Sequence, residues 1–286
     1  MLRHVYTFNS LSEFINMVDV PKPIGAADTC AWDWGDDDWS GASRPAAFEM
    51  ARLGWDKGRH NMVEAMAQAR PSIALPPAFT LDVGGAYPDP AAAAAGVPDC
   101  MVSFDPVEVR NKPIVRLAVN VWASAMYEAR EFTAYGAAVL SYIDAIEAGG
   151  YRVELSMLCH CFTGREKSDT YTVTVPIKRA EEPIEIDRLT YCLTHVAMLR
   201  RLFFSHMQIA PGAAGKMPNC GYPRNPDTAD VEPGLIVVPG INTIEPGSAP
   251  LRSPKACAEY ITGMMQRVLT QVGVELPELA YGGGSK

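Results

Sequence analysis

Ile114-Val-Arg-Leu-Ala-Val-Asn120 is a nearly unbroken apolar run following Pro113, and it reads as a central strand covered on both faces. Downstream, Phe132, Tyr135, Gly136, Val139, Leu140, Ile143 and Ile146 recur at steps of three and four, one face of a helix that Gly149-Gly150 ends. Tyr151, Val153, Leu155 and Met157 then alternate with Arg152, Glu154 and Ser156, which is a strand. Tyr171, Val173 and Val175 alternate with threonines in another, reached through Thr163 to Asp169; that linker suits an antiparallel hairpin and the threonines suit a sheet edge. A helix that Asp187 can cap carries Leu189, Cys192, Leu193, Val196, Leu199 and Phe203. A short strand, Leu235 to Val238, and a helix from about Pro254 to Val272 complete the run.

Strand and helix alternate, so the expected fold is α/β, with three layers and a mostly parallel sheet bearing an antiparallel edge strand. Upstream, residues 1–80 read as a helical N-terminal layer. Ser10 and Glu13 form a capping box before Leu11, Phe14, Ile15 and Val18, a second helix runs from Pro45 to Gly54, and a third covers Asn61 to Gln68. Residues 81–110 read as an extended connection, 111–281 as the α/β domain, and 282–286 as a flexible tail.

The 23 prolines and 23 glycines mark a loop-rich chain, and eight of those prolines fall between Pro211 and Pro250. A net charge of −8 removes the long-range attraction that non-specific nucleic-acid binding needs, and Lys178-Arg179 and Arg200-Arg201 are the only adjacent basic pairs. No run of 18 apolar residues occurs and the first residues lack the apolar segment of a leader, so neither membrane nor export is expected. Seven scattered cysteines without a C-x-x-C read as reduced, buried thiols.

A buried first strand, a long helix and a strand turned back into an antiparallel partner resemble the von Willebrand factor A-type fold. In that family the first strand ends in Asp-x-Ser-x-Ser, which holds a divalent ion, and a later strand end adds another Asp. Here the corresponding words are Asn120-Val-Trp122-Ala-Ser124 and Pro239-Gly-Ile-Asn242, so only Ser124 keeps the family's residue. Hard cations need anionic oxygens, so the resemblance implies a lost Mg²⁺ or Ca²⁺ site, or one rebuilt with Asp187 or Glu128. No cofactor is otherwise expected.

Short words across residues 40 to 205, among them Gly96-Val-Pro98-Asp99-Cys-Met101, Gly149-Gly-Tyr-Arg-Val-Glu154 and Leu193-Thr-His195-Val-Ala-Met-Leu199, are similar to an uncharacterised family frequent in bacteriophage and prophage genomes. That resemblance implies work in the cytoplasm of an infected bacterium, or in the virion, and a protein partner that the phage encodes.

Other features carry weaker chemistry. In Cys159-His160-Cys161 a strand's alternation turns His160 away from both thiols. Cys192 and His195 share a helix face, which permits a nucleophile and base without requiring one. Gly212 to Met217 lacks the spacing of a phosphate loop. Trp32-Asp-Trp34-Gly-Asp-Asp-Asp-Trp39 mixes aromatics with acid, as an acidic loop or an interface anchor does, and only weakly as a metal site. The expected function is a non-enzymatic protein-binding or scaffold module using Asn120, Trp122, Ser124, Asp187 and Asn242 around the strand-end cleft, with Trp32, Trp34 and Trp39 as further contacts. A structural component of a phage particle and an enzyme with a Cys/His or rebuilt metal site are the alternatives.

Overall fold

The computed structural model describes residues 2–23, 31–32, 37–73, 80–103, 114–162, 169–212, 222–226, 230–271, 273–274 and 279–280. The chain begins with β1 (Arg3–Thr7), α1 (Leu11–Val18), a single helical turn α2 (Asp37–Ser40), α3 (Arg44–Leu53) and α4 (Asp56–Ala69). Four short strands, β2 (Ser72–Ile73), β3 (Thr80–Asp82), β4 (Tyr87–Pro88) and β5 (Met101–Ser103), and α5 (Pro90–Ala94) precede the central run. That run is β6 (Ile114–Asn120), α6 (Ala129–Ala148), β7 (Arg152–Phe162), β8 (Thr170–Lys178) and α7 (Ile186–Thr194). A π-helical turn (Met198–Phe203) leads into α8 (Phe204–Ile209), followed by β9 (Tyr222–Pro223), β10 (Ile236–Val238), α9 (Pro254–Gln271) and β11 (Leu279–Ala280).

The main sheet has the order β1-β8-β7-β6-β10, with the short β9 laid against the far end of β7. β10, β6 and β7 are parallel; β8 runs antiparallel to β7 and β1 parallel to β8. The mixed α/β architecture with a mostly parallel sheet therefore stands. Other expectations do not. The Thr-rich strand β8 is interior, because β1 pairs along its outer side from Arg3↔Thr170 to Thr7↔Thr174. Its threonines are covered: Thr170, Thr172 and Thr174 are all buried. The N-terminal layer is accordingly not purely helical, since its first five-residue element is a strand of the sheet.

The helices also gather on one face of the sheet. Val153, Leu155, Met157, Cys159 and Cys161 of β7, with Val115, Leu117 and Val119 of β6 and Tyr171, Val173 and Val175 of β8, belong to the main apolar core. Their alternating neighbours Arg116, Glu154 and Ser156 are half-buried, and β6 and β7 join there through an Arg116–Glu154 pair at 3.3 Å. Side chains alternate across a strand, so this second face is polar. It is crossed by irregular chain: Glu232 pairs with Arg116 at 2.9 Å, and Asp230 sits beside Arg3 at 3.6 Å and His160 at 3.8 Å. The sequence leads one to expect a sheet sandwiched between helices; on this second face the described cover is irregular chain instead, and Leu158, His160 and Thr172 are buried beneath it.

α6 lies at the centre of the helical layer, packed against α4, α7 and α9, with fourteen of its residues buried. A helix buried almost all round fits the near-continuous apolar and alanine content of this segment. Half of the α1 capping box forms: Ser10 Oγ accepts from the Glu13 N–H at 3.1 Å, but Glu13 Oε2 accepts from the N–H of Asn9 at 2.7 Å, one residue before the cap, instead of from that of Ser10. Within the connection read over 81–110, residues 80–103 carry short elements: β5 pairs antiparallel with both β3 and β4, and Asp89 Oδ1 caps α5 at 2.8 Å. The tail 282–286 lies outside the described residues.

Candidate functional site

The carboxyl ends of β6 and β10 meet where the sequence places a ligand cleft. Asn120 is 1% exposed there. Its amide nitrogen donates to the Arg224 carbonyl at 2.8 Å and its amide oxygen accepts from the Trp122 N–H at 3.2 Å. Asn242 does come alongside, because Gly240 sits so close to both that a Cβ on it would meet Asn242 Oδ1 at 2.6 Å and the Asn120 carbonyl at 2.7 Å. Trp122 is buried beneath them against Phe204. Ser124 is half-buried in the loop beyond, its hydroxyl near the Met126 N–H at 3.4 Å. Tyr135 and Tyr127 donate to the carbonyls of Pro239 and Ile244, both at 2.7 Å, so α6 ties the same strand end from the other side.

A divalent cation does not fit this donor set. The Asn120 oxygen is occupied, and Asn242 Oδ1, buried and without a hydrogen-bond partner among the described residues, supplies no charge. The carboxylate of the first α6 turn, Glu131, accepts from the Glu128 N–H at 2.8 Å and the Gly247 N–H at 2.6 Å. Glu128 pairs with Arg130 at 2.8 Å. Asp187 is at the opposite end of α7 from the strand-end loop, about 10 Å along the helix axis from its last residue. It binds Arg59 of α4 through two side-chain hydrogen bonds, one of 2.6 Å, which hold its carboxyl below the usual carboxylate range. Among the described residues no three His, Cys, Asp or Glu side chains group to hold a metal.

Arginines dock the described ends of the tryptophan segment, Trp32 and Trp39. Arg44 donates to the Ala31 and Val18 carbonyls at 3.0 and 2.7 Å and lies over the rings of Trp32 and Phe48. Arg201 donates to the Ala42 carbonyl at 2.9 Å, and Arg200 to that of Trp39 while covering its ring at 4.2 Å. Both are buried, so the Arg200-Arg201 pair is internal glue. Trp32 is buried, Trp39 is 41% exposed, and Trp34 lies outside the described residues.

The thiols and imidazoles are equally committed. Burial pushes Cys192 up to about 12, and Cys161 up to about 12 against the opposing influence of the Trp122 side chain. A thiol at that pKa supplies almost no thiolate at neutral pH. His195 accepts the Ala197 N–H on Nδ1 at 3.2 Å, its ring lies edge-on to Trp55, and burial lowers it to about 4. His160 Nδ1 bonds to Thr172 Oγ1 at 2.8 Å inside the sheet.

The β3–β5–β4 sheet is different. Leu81 and Tyr87 both stand opposite Val102, one on each flank, so the three form an apolar stripe across three strands. Val102 is buried yet outside the main core, whereas Leu81, Val83, Tyr87 and Val97 are 43 to 73% exposed. Its charged residues are Asp82, Asp89 and Asp99, with no Lys or Arg.

A family model described as a domain of unknown function, DUF7192, matches residues 3–268. The chain belongs to that family. The match begins on the first residue of β1 and ends inside α9. No curated protein and no solved structure matches the chain. No helix among the described residues of this DUF7192 chain is long and apolar enough to cross a membrane. The exposed stripe was not legible from sequence, because its alternating residues are sparse and set among Gly, Pro and Ala; the one usable signal was the spacing of Leu81, Tyr87 and Val102 around turn residues.

Proposed function

We propose that the chain is a non-enzymatic protein-binding module whose contact surface is the apolar stripe of the β3–β5–β4 sheet, with no cofactor required. The observation that supports this is the exposure of Leu81 and Tyr87 around a single buried Val102. A three-stranded sheet needs an apolar face covered to be stable, and this one leaves most of its large apolar residues in water. The strand-end residues Asn120 and Asn242 act in this reading as struts that shape the scaffold. The phage setting implied by the sequence resemblance makes a phage-encoded protein the first partner to seek, in the bacterial cytoplasm or the particle. The test is recovery of tagged full-length protein from infected cells, wild type beside Leu81→Ser/Tyr87→Ser. A defined phage protein lost from the variant, with thermal unfolding of the main domain unchanged, supports the reading. The same partners recovered with both proteins overturn it.

A further inference from the structure

A cavity of about 530 Å³ lies between the first turns of α1, the C-terminal end of α3, the end of β8 and the first turn of α7. Three guanidinium groups line it, from Arg52, Arg179 and Arg188. Asp19 holds Arg52 at 2.5 Å and Glu185 holds Arg188 at 3.1 Å, and neither of those carboxylates is in the cavity wall. Arg52 is therefore braced from outside, and Arg188 from outside by Glu185 and from the wall by Glu182. The Arg179 side chain is exposed and forms no ion pair among the described residues.

Opposing charge is present in the wall, and part of it is engaged. Glu181 and Glu182 share the wall, and Glu182 Oε2 accepts the Arg179 backbone N–H at 3.0 Å and lies 3.6 Å from Arg188. Lys178 adds nothing to the interior, because its ammonium is directed to Glu147 and to the Val153 and Arg179 carbonyls. A second cavity of about 250 Å³ shares Asn9, Pro176, Lys178, Arg179 and Glu181 with the first and adds Arg116, which is already paired with Glu154 of the same wall and with Glu232. In a chain of net charge −8, guanidiniums are thus concentrated around one hollow of small-molecule size. Planar guanidinium forks match the oxygens of phosphate and carboxylate, and braced ones lose little freedom on binding.

We propose that this cavity binds a small molecule bearing a multiply charged oxyanion, a phosphate ester or a polycarboxylate, gripped by Arg179 with Arg52 and Arg188. The experiment follows thermal unfolding of the full chain in inorganic phosphate or citrate at about 10 mM, against sodium chloride of matched ionic strength. A rise in Tm over the chloride control is expected with at least one anion. Phosphate alone assigns a phosphate ester, citrate alone a polycarboxylate, and both the shared oxyanion chemistry. Arg179→Ala, on an exposed side chain, should leave the anion-free Tm unchanged and weaken apparent affinity about tenfold or more, and Arg188→Lys should weaken it while keeping the charge. No rise with either anion, or an unaltered response in Arg179→Ala, overturns the assignment.

Discussion

The side-chain amide of Asn120 donates to the carbonyl oxygen of Arg224, 104 residues further along the chain, at 2.8 Å. This bond pins the segment that extends β7 with Tyr222 and Pro223, and it sits at the position where the von Willebrand resemblance expects a metal ligand. Asn120→Ala removes it along with the acceptor for the Trp122 N–H, leaving two buried backbone groups unsatisfied. The expected loss is about 1–3 kcal/mol, read from the urea midpoint at unchanged m. Asn120→Asp should be worse, because a carboxylate cannot donate to a carbonyl.

Lys178 and Glu147 make a second internal tie. The Lys178 side chain is 0% exposed, with Nζ 2.6 Å from Glu147 Oε1 and 3.0 Å from the Val153 carbonyl, so the end of β8 is fastened to the C-terminal turn of α6. Lys178→Met leaves Glu147 and Val153 without their donor and should cost about 3–5 kcal/mol. Glu147→Gln in the same chain should recover part of that loss, because the carboxylate left without its cation is then gone. A double variant no more stable than Lys178→Met would show that the carboxylate is solvated through its exposed side.

These ties explain which parts of the fold a sequence can show. The strand at Ile114, the α6 and α9 faces and the cap at Ser10 are local, and their periodicity or spacing suffices to place them. β1 was missed because Arg3-His-Val-Tyr-Thr7 is five mixed residues whose strand character comes from pairing with residues 170–174. Placing β8 at an edge followed from that miss, since a threonine-rich strand looks exposed until its neighbour is known. The candidate cleft was legible as a location, and Asn120 and Asn242 do meet there. Its closure was not, because Arg224, Tyr127, Tyr135 and Gly247 arrive from distant sequence. Similarly, the Arg200-Arg201 pair reads as surface charge until the carbonyls of Ala42 and Trp39 are placed against it.

Gly136 lets α6 lie close against Thr194 of α7. A Cβ there would stand 2.2 Å from Thr194 Cγ2, with Met62 of α4 at 3.4 Å. Gly136→Ala gains about 1 kcal/mol of helix propensity but forces the helices apart, and a net loss of about 1–3 kcal/mol is expected. Thr194→Ser removes the offending methyl and keeps the hydroxyl that bonds to the Thr190 carbonyl at 2.7 Å. The double variant Gly136→Ala/Thr194→Ser should therefore return to within about 1 kcal/mol of the parent, a non-additivity that thermal or urea unfolding will register.

His206 gives the chain an acid limb. It is 1% exposed, hydrogen-bonded through Nδ1 to the Tyr171 hydroxyl and surrounded by the rings of Tyr6, Phe8 and Phe14, none of them charged at neutral pH. Burial lowers its pKa to about 4, against about 6.5 in the unfolded chain. Below pH 6.5 the unfolded state takes up a proton that the folded state refuses. The stability is thus fully present above about pH 6.5 and is lost as pH falls toward 4, by about 3 kcal/mol in all. Above pH 5 most carboxylates remain ionised, so the slope of unfolding free energy between pH 6.5 and 5 isolates the histidines; His195, also lowered to about 4, adds to it in the same direction. His206→Gln should lower stability at pH 7 and flatten that slope, and a slope as steep as the parent's would assign the acid limb to other groups.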